Sequence, residues 1–432
     1  MYRKAYKKLL DWKTAQSRKP LLLLGARQVG KTWLMKEFGS KEYENIAYIN
    51  CDSEPLTKTL FLNDYDIDRL LLGFQAITGQ SINKQSTLII LDELQEAPRG
   101  LHSLKYFCEN APEYHIMAAG SLLGVTLSQK ESYPVGKVDT VDLYPMDFEE
   151  FLMAMGQTTI CEELTKHNFS LATAFAQKLK DFLYQYYYVG GMPEAVGGFI
   201  INKDLNRVRE IQMNIIDAYR RDISKHSSKT ESIRIGQVLA SLPSQLSKEN
   251  KRFIYGVAKK GGRAADFEMA IQWLVDAGLV YKVNRVNKVA IPLKFHEDFS
   301  VFKLFFLDVG LLSCMSDVPS KILLDVGENL VDYKGMLTEE YVAQQLISNG
   351  FSPFYWSNER TPAELDFVLQ YDGSVYPVEV KAGTNVRGKS IAQFVKENPY
   401  AKGLRFSILD FKDQGWLVNI PLYAVPFLSS II

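Results

Sequence analysis

The sequence lacks several features that would assign the chain to a specialised class of protein. Its 432 residues contain no run approaching about 18 consecutive apolar residues, so we expect no membrane-spanning helix. The four cysteines are scattered without paired spacing, which argues against a disulfide framework or a zinc site. The N-terminal segment MYRKAYKKLLDWK has no apolar core of the kind that a signal peptide needs. We therefore expect a cytoplasmic protein with no membrane partner.

The chain also lacks net charge, because 50 Lys and Arg residues balance 50 Asp and Glu residues. A global basic field that would attract nucleic acid is thus excluded, and any charged partner has to be recognised by a local patch. One basic patch stands out, KENKRFIYGVAKKGGR, in which two aromatic side chains are interleaved. It could grip DNA phosphates, or it could be a solvated face or a surface for protein contact. Its basic residues are Lys248, Lys251, Arg252, Lys259, Lys260 and Arg263.

The first third of the sequence alternates short apolar segments with helical patterns. The first four apolar segments are nearly continuous, as expected of parallel strands that are covered on both faces. This alternation predicts an α/β doubly wound parallel sheet. The predicted strands are 21–25, 45–50, 87–93, 114–121 and 137–143.

A glycine-rich loop, GARQVGKT, lies between the first predicted strand and the helix that follows it, and it fits the pattern GxxxxGK[ST]. Gly25 and Gly30 let such a loop fold tightly, so that backbone N–H groups point at phosphates. The positive N-terminal end of the next helix faces the same anion. Lys31 would reach the β- and γ-phosphates, and Thr32 would coordinate Mg²⁺. The predicted ATP-binding residues are Gly25, Ala26, Arg27, Gln28, Val29, Gly30, Lys31 and Thr32.

A second motif, LIILDE at 88–93, agrees with the first. A strand would deliver Asp92 to the edge of the sheet where Mg²⁺ would lie, and Glu93 could polarise the attacking water as a general base. Ser121, at the end of the next strand, could hold that water or sense the γ-phosphate, or it could simply cap the next helix. The two motifs together predict that the chain binds ATP with Mg²⁺ and hydrolyses it.

The remainder of the chain changes pattern twice. Helical patterns dominate to about residue 228, and residues 230–290 hold further helices followed by a predicted hairpin, with strands at 277–285 and 288–295, as in a winged helix. From about residue 295 the pattern is α+β. The predicted domains are an ATP-binding core at 1–145, a helical lid at 146–229, a winged-helix segment at 230–294 and a C-terminal domain at 295–432.

The C-terminal domain contains a group of charged residues that could perform chemistry. Asp366 lies on one predicted strand, and Glu379 and Lys381 lie two apart on the next, so both point to the same face. Two carboxylates and a lysine can bind Mg²⁺ and activate water for attack on a phosphodiester. Glu339, from the preceding helix, would join them. The alternative is a sheet face held by salt bridges, in a domain that does not cleave.

This C-terminal pattern resembles the PD-(D/E)xK nucleases at Asp366, Glu379 and Lys381, and the resemblance favours Glu339 over its neighbour Glu340. The whole chain resembles a bacterial and archaeal family of AAA-type ATPases whose C-terminal domain is related to restriction-type nucleases. The resemblance runs nearly end to end and implies an AAA+ core, a helical lid, a winged helix and a nuclease-like end. It rests on GARQVGKT, ILDELQEAP, AAGSLLGV, LYPMDFEEFL, YVGGMPEAV, DVGLL, GMLTEEYVAQQL, and ELDFV followed by PVEVKAG.

The sequence lacks arginine between Arg99 and Arg207. AAA+ sites are usually completed by an arginine from a neighbouring subunit, so we expect a homo-oligomer. The stretch that often supplies this arginine offers only Lys137; otherwise Arg220 or Arg221 would serve, unless both only form surface salt bridges.

Two functions of different classes remain open at this point. The leading interpretation is an ATPase coupled to a nuclease-like domain that acts on DNA, with host defence as its setting. The alternative is a nucleotide-controlled switch or scaffold whose C-terminal domain binds without cutting.

Overall fold

The computed structural model describes residues 1–120, 125, 134–248, 251–319, 331–358, 361, 363–384, 388–398 and 400–432. Its contacts divide the chain into two units. The first comprises Met1–Tyr144 with Asp276–Leu279, and the second comprises Pro145–Val275 with Val280–Ile432. No helix among the described residues is long and apolar enough to cross a membrane.

The first unit contains a parallel sheet, which in the described residues has five strands in the order β2-β3-β4-β1-β5. Strands β3 and β4 are buried along their whole length, which explains why they are almost continuously apolar. Helices connect the strands, so the predicted α/β fold with a parallel central sheet is confirmed. The strands are β1 Leu21–Leu24, β2 Asn45–Asn50, β3 Thr87–Asp92, β4 His115–Ala119 and β5 Asp139–Asp142.

The helices of this unit lie around the sheet, and one of them begins at Lys31, directly after the glycine-rich loop. Asp66 caps the start of helix Ile67–Thr78 by accepting a hydrogen bond from the backbone N–H of Arg69. The α-helices are Ala5–Thr14, Lys31–Glu42, Pro55–Asn63, Ile67–Thr78 and Gly100–Asn110, and a 3₁₀ helix spans Leu94–Glu96.

The second unit begins with a series of helices, whose starts are fixed by side chains. Asp147 forms a capping box with Glu150, and Ser228 forms another with Glu231. The α-helices are Phe148–Ala154, Thr158–Thr165, Phe169–Ala174, Ala176–Val189, Pro193–Asn202, Leu205–His226, Lys229–Leu246, Tyr255–Ala258, Ala264–Asp276, Val309–Met315, Val331–Ser348, Lys389–Glu397 and Leu428–Ile431, and 3₁₀ helices span Leu293–His296 and Leu422–Phe427.

A mixed sheet completes the second unit, and in the described residues its strand order is β12-β13-β11-β10-β9-β8-β6-β7. Strands β6 and β7 form the predicted hairpin, but the second strand is not where the sequence indicated. Residues 288–295 contain no strand, because they hold a loop and the start of a 3₁₀ helix; Pro292, which cannot donate to a ladder, lies among them. The strands are β6 Val280–Val286, β7 Glu297–Phe306, β8 Phe354–Ser357, β9 Glu364–Tyr371, β10 Ser374–Lys381, β11 Gly403–Ser407, β12 Lys412–Asp413 and β13 Leu417–Pro421.

This hairpin belongs to the same sheet as the C-terminal strands, since β6 pairs with β8 in parallel at Arg285 and Tyr355. The winged-helix interpretation and the four domain boundaries remain predictions.

Candidate functional site

The glycine-rich loop follows β1 and leads into helix Lys31–Glu42. Gly25 has φ of +141°, and a Cβ atom at this position would lie 2.1 Å from the carbonyl oxygen of Leu143. Gly30 has a left-handed φ of 96° and caps the helix. The close approach at Gly25 excludes a side chain, the left-handed φ of Gly30 favours glycine, and the helix begins directly afterwards with its first N–H groups lacking acceptors within the helix. This is the geometry in which a loop binds phosphate.

Lys31 is buried, with 6% of its surface exposed. Its Nζ atom donates to the carbonyl oxygens of Gly25 and Ala26, each at 2.8 Å. Burial lowers the pKa of Lys31 to about 8, although the charges of Glu93 and Asp92 act in the opposite direction. The ammonium group is thus held by neutral carbonyl oxygens, in a position where a phosphate would be a stronger partner.

Arg3 is a functional candidate that the sequence did not reveal. It is buried, and its guanidinium donates to the carbonyl oxygen of Val29 in the loop at 2.8 Å and to that of Tyr144 at 2.5 Å. These bonds tie the loop to the end of the segment after β5. Nothing in the sequence distinguishes Arg3 from its basic neighbour Lys4, so its role becomes visible only in the fold.

Asp92, at the end of β3, is brought into contact with the loop. The Thr32 hydroxyl donates to Asp92 Oδ2 at 2.6 Å, and the Tyr48 hydroxyl donates to the same oxygen at 3.0 Å. The backbone N–H of Glu93 donates to Asp92 Oδ1 at 3.1 Å. Burial, with the nearby charge of Asp92, raises the pKa of Tyr48 to about 12, so the phenol remains a donor. Thr32 and Asp92 are oxygen ligands of the kind that Mg²⁺ accepts, and they lie close enough to share an ion.

Glu93 lies directly beyond the strand and has a left-handed φ of 51°. Its Oε2 atom accepts a hydrogen bond of 2.7 Å from Nε2 of Gln95. The sequence analysis did not single out Gln95, although it lies two residues after the predicted base within the DELQE motif.

Other residues predicted for this site have mixed outcomes. Ser121 lies outside the described residues. Lys137 forms a salt bridge of 2.9 Å with Glu109, and Arg220 forms one of 3.0 Å with Asp217. Arg221 is exposed on helix Leu205–His226. Which of these cations completes a neighbouring site stays a prediction, as does the homo-oligomer.

The C-terminal residues predicted to act together do lie together. Strands β9 and β10 are paired as far as Val378 opposite Phe367, so Glu379 and Asp366 are the next residues along the two strands. Asp366 Oδ2 accepts the backbone N–H of Val380 at 2.7 Å, and Lys381 Nζ lies 3.0 Å from Glu379 Oε1. The second oxygen of Glu379, Oε2, is buried and has no hydrogen-bond partner among the described residues. Such an orphaned carboxylate oxygen fits a divalent cation.

Glu339 has a different environment, because lysines hold its carboxylate. Lys303 lies 3.0 Å from Glu339 Oε1, and Lys251 pairs with Oε2. Lys303 also lies 2.6 Å from Glu364, a member of the cluster that the sequence analysis missed. Burial alone would raise the pKa of Glu339, but the charges of Lys251 and Lys303 outweigh it and lower that pKa. Glu339 therefore has little capacity left for a metal ion.

The same cluster raises the pKa of Asp366 to about 6, through burial first and then the charge of Glu339. Within the part of the chain that the structure describes, no group of three or more His, Cys, Asp or Glu side chains is arranged to hold a metal ion. The metal-binding role of Asp366 and Glu379 stays a prediction. Lys251, one of the residues of the basic patch, pairs with Glu339.

The motifs GGMPEAV and DVGLL, to which the sequence analysis assigned no chemical role, contact each other in the second unit. Gly191, from YVGGMPEAV, donates its backbone N–H to Asp308 Oδ2 at 2.6 Å, and Leu311 donates to Asp308 Oδ1 at 3.0 Å. A Cβ atom at Gly191 would lie 1.9 Å from the carbonyl oxygen of Met146. The motifs GGMPEAV and DVGLL therefore serve the packing of this unit.

Comparison with known families matches three separate segments. Residues 17–152 match an AAA domain, residues 180–322 match a domain of unknown function (DUF8612), and residues 334–423 match another domain of unknown function (DUF4143). No curated protein matches the chain. The first match, with the parallel sheet and the phosphate-type loop, identifies the N-terminal segment as an AAA-type ATPase domain. The nuclease kinship of the C-terminal segment remains a prediction.

Solved structures resemble the chain only distantly. A Walker-type ATPase of Pyrococcus abyssi is 14% identical with a TM-score of 0.43, over 73% of this chain and 95% of that one. The Orc1 protein of Aeropyrum pernix, solved in complex with DNA, is 13% identical with a TM-score of 0.28, over 75% and 93% of the two chains. These values are too low to support an argument about what this chain binds.

Proposed function

We propose that the chain binds ATP with Mg²⁺ at the glycine-rich loop and hydrolyses it. The observation that carries this proposal is the 2.6 Å contact between the Thr32 hydroxyl and the Asp92 carboxylate. A hydroxyl and a carboxylate at the mouth of a phosphate-binding loop are the protein ligands that Mg²⁺ takes together with phosphate oxygens. Mg²⁺ bound there would neutralise charge on the β- and γ-phosphates. The AAA-domain match over residues 17–152 supports the same function.

In this proposal each side chain has one task. Lys31 would exchange the carbonyl oxygens of the loop for β- and γ-phosphate oxygens, and Arg3 would keep the loop in place through Val29. Glu93 would take a proton from the attacking water while the water oxygen bonds to the γ-phosphorus and the bond to the β–γ bridging oxygen breaks. ADP and phosphate would then leave.

The experiment is a comparison of Glu93→Gln with Glu96→Gln. Glu93→Gln should bind ATP as the wild type does, because the contacts of Lys31 and Thr32 are retained. Its turnover should fall by about 10²- to 10⁴-fold, the usual contribution of a general base. Glu96→Gln, in the 3₁₀ helix that follows Glu93, should retain wild-type turnover. Parental turnover in Glu93→Gln would contradict the assignment of the base.

We propose further that ATP hydrolysis controls a C-terminal domain that acts on DNA as a metal-dependent nuclease, an activity suited to host defence. Three observations support it. Glu379 and Asp366 directly follow the last paired residues of β10 and β9, Glu379 Oε2 is buried without a partner among the described residues, and Lys381 Nζ lies 3.0 Å from Glu379 Oε1. Asp366 and Glu379 would hold Mg²⁺, which would supply an activated water. Lys381 would stabilise the negative charge that develops on the phosphate.

The second candidate is a nucleotide-controlled switch whose C-terminal domain binds protein or nucleic acid without cutting. The pairing of Glu339 with Lys251 and Lys303 favours it, because ammonium groups occupy the carboxylate that would otherwise extend a metal site. The candidates differ in one measurable property, which is whether DNA acquires nicks in the presence of Mg²⁺ or Mn²⁺.

A further inference from the structure

Gln95 contacts the side chain that is proposed as the general base. Strand β3 ends at Asp92, Glu93 adopts a left-handed φ of 51°, and the 3₁₀ helix Leu94–Glu96 begins immediately afterwards. This tight turn folds Gln95 back along the chain, so that its Nε2 atom donates to Glu93 Oε2 at 2.7 Å. The distance is that of a good charge-assisted hydrogen bond.

The other end of the Gln95 amide is not satisfied. Its Oε1 atom is buried and has no hydrogen-bond partner among the described residues. Leaving a buried acceptor unpaired is unfavourable, and such groups in folded proteins call for an explanation. The Gln95 amide thus donates to Glu93 although its own carbonyl oxygen lacks a donor among the described residues. We take this as an indication that the contact with Glu93 has a role beyond packing.

The neighbouring Asp92 does not need Gln95. Its two oxygens are held by the hydroxyls of Thr32 and Tyr48 and by the backbone N–H of Glu93. Removal of the Gln95 amide should therefore leave the Mg²⁺ ligands and the phosphate-binding loop unchanged. Its effect should be confined to the orientation of the Glu93 carboxylate.

We propose that Gln95 is a positioning residue for ATP hydrolysis, which holds the Glu93 carboxylate through Oε2 in the orientation needed to accept a proton from the attacking water. This inference rests on the proposed function of the site. A general base has to lie within about 2.6–3.2 Å of the proton that it removes, so a carboxylate that loses one of its hydrogen bonds spends less time in the reactive position. Loss of the amide therefore lowers kcat and leaves the KM for ATP unchanged.

Two substitutions test this in the full chain. Gln95→Met keeps the length of the side chain and removes both the donor and the unpaired acceptor. Its kcat should fall by about 10- to 100-fold, the range in which small misplacements act, with unchanged KM and no loss of thermal stability. Gln95→Glu removes the donor and places a like charge beside Glu93, which should repel that carboxylate, so its kcat should also fall with unchanged KM. Glu96→Gln is again the matched control.

The double variant Glu93→Gln/Gln95→Met shows whether the fall in kcat caused by Gln95→Met depends on Glu93. If Gln95 acts through Glu93, the second substitution should cost nothing further once Glu93 is replaced. The proposal is overturned if Gln95→Met turns over at the wild-type rate, or if it costs the same factor in the Glu93→Gln background. If Glu93→Gln itself hydrolyses ATP at the parental rate, the proposed base is wrong, and the positioning role fails together with it.

Discussion

The affinity of the chain for ATP should fall as the pH rises above 8. In the free protein, burial lowers the pKa of Lys31 to about 8. Bound phosphates would favour the charged ammonium and raise that pKa, so the complex should hold a proton that the free protein has lost. Binding above pH 8 should therefore be coupled to the uptake of a proton.

The magnitude follows from the position of the pKa. At pH 7 Lys31 is charged in nearly all free molecules, so deprotonation of Lys31 hardly weakens ATP binding. At pH 9, one unit above the pKa, only about a tenth of them do, so ATP should bind about tenfold more weakly, a loss of about 1.4 kcal/mol. Tyr48 and Cys51 have pKa values raised to about 12, chiefly by burial, so neither titrates in this range.

Isothermal titration at pH 7, 8 and 9, in two buffers with different ionisation enthalpies, measures both the affinity and the protons taken up. Proton uptake per ATP should rise from near zero at pH 7 to near one at pH 9. Lys31→Arg is the matched control, because a guanidinium stays charged throughout and should abolish the uptake. An affinity that is level from pH 7 to pH 9, without proton uptake, would refute the reasoning.

Two remaining predictions concern the C-terminal cluster. Circular DNA incubated with the protein, ATP and Mn²⁺ should acquire nicks that disappear in Lys381→Ala and persist in Lys412→Ala, an exposed lysine of the same domain; absence of nicks in the wild type would favour the switch. Lys251→Met should release one oxygen of Glu339 and so strengthen Mn²⁺ binding. The binding is measured by titration of the full chain without ATP. Unchanged binding would mean that Lys251 does not compete with the metal.

The sequence predicted best those strands and site residues that depend on residues close together along the chain. The strand predicted at 45–50 is Asn45–Asn50 in the structure, and that predicted at 87–93 is Thr87–Asp92. Parallel strands buried on both faces leave a nearly continuous apolar pattern, which is easy to recognise. The contact of Thr32 with Asp92 was foreseeable for a similar reason, since each residue belongs to a motif whose place on the sheet is fixed.

Contacts between distant residues that belong to no motif could not be predicted. Lys251 and Glu339 are 88 positions apart, and Tyr48 reaches Asp92 from a different strand. Periodicity indicates which face of an element is buried, but it does not indicate which buried charges will meet. The pairing of Lys251 was not predicted for this reason, because a lysine among other basic residues of the sequence gives no sign that it will contact a buried glutamate.

Each unit contains a buried lysine, and the pKa values of the two lysines are shifted in opposite directions. This difference affects which ligands each site can bind. Lys31 contacts neutral carbonyl oxygens, and its pKa is lowered. Burial would lower the pKa of Lys303 as well, but the charges of Glu339 and Glu364 outweigh it and raise that pKa. A buried cation without a paired anion gains most from an incoming phosphate, whereas one already paired with two carboxylates gains little. The loop at Lys31 is thus suited to an anionic ligand. Lys303, in contrast, already forms ion pairs with Glu339 and Glu364. In the C-terminal cluster we therefore expect any metal ion to bind near Glu379, whose Oε2 atom is buried and has no hydrogen-bond partner in the part of the chain that the structure describes.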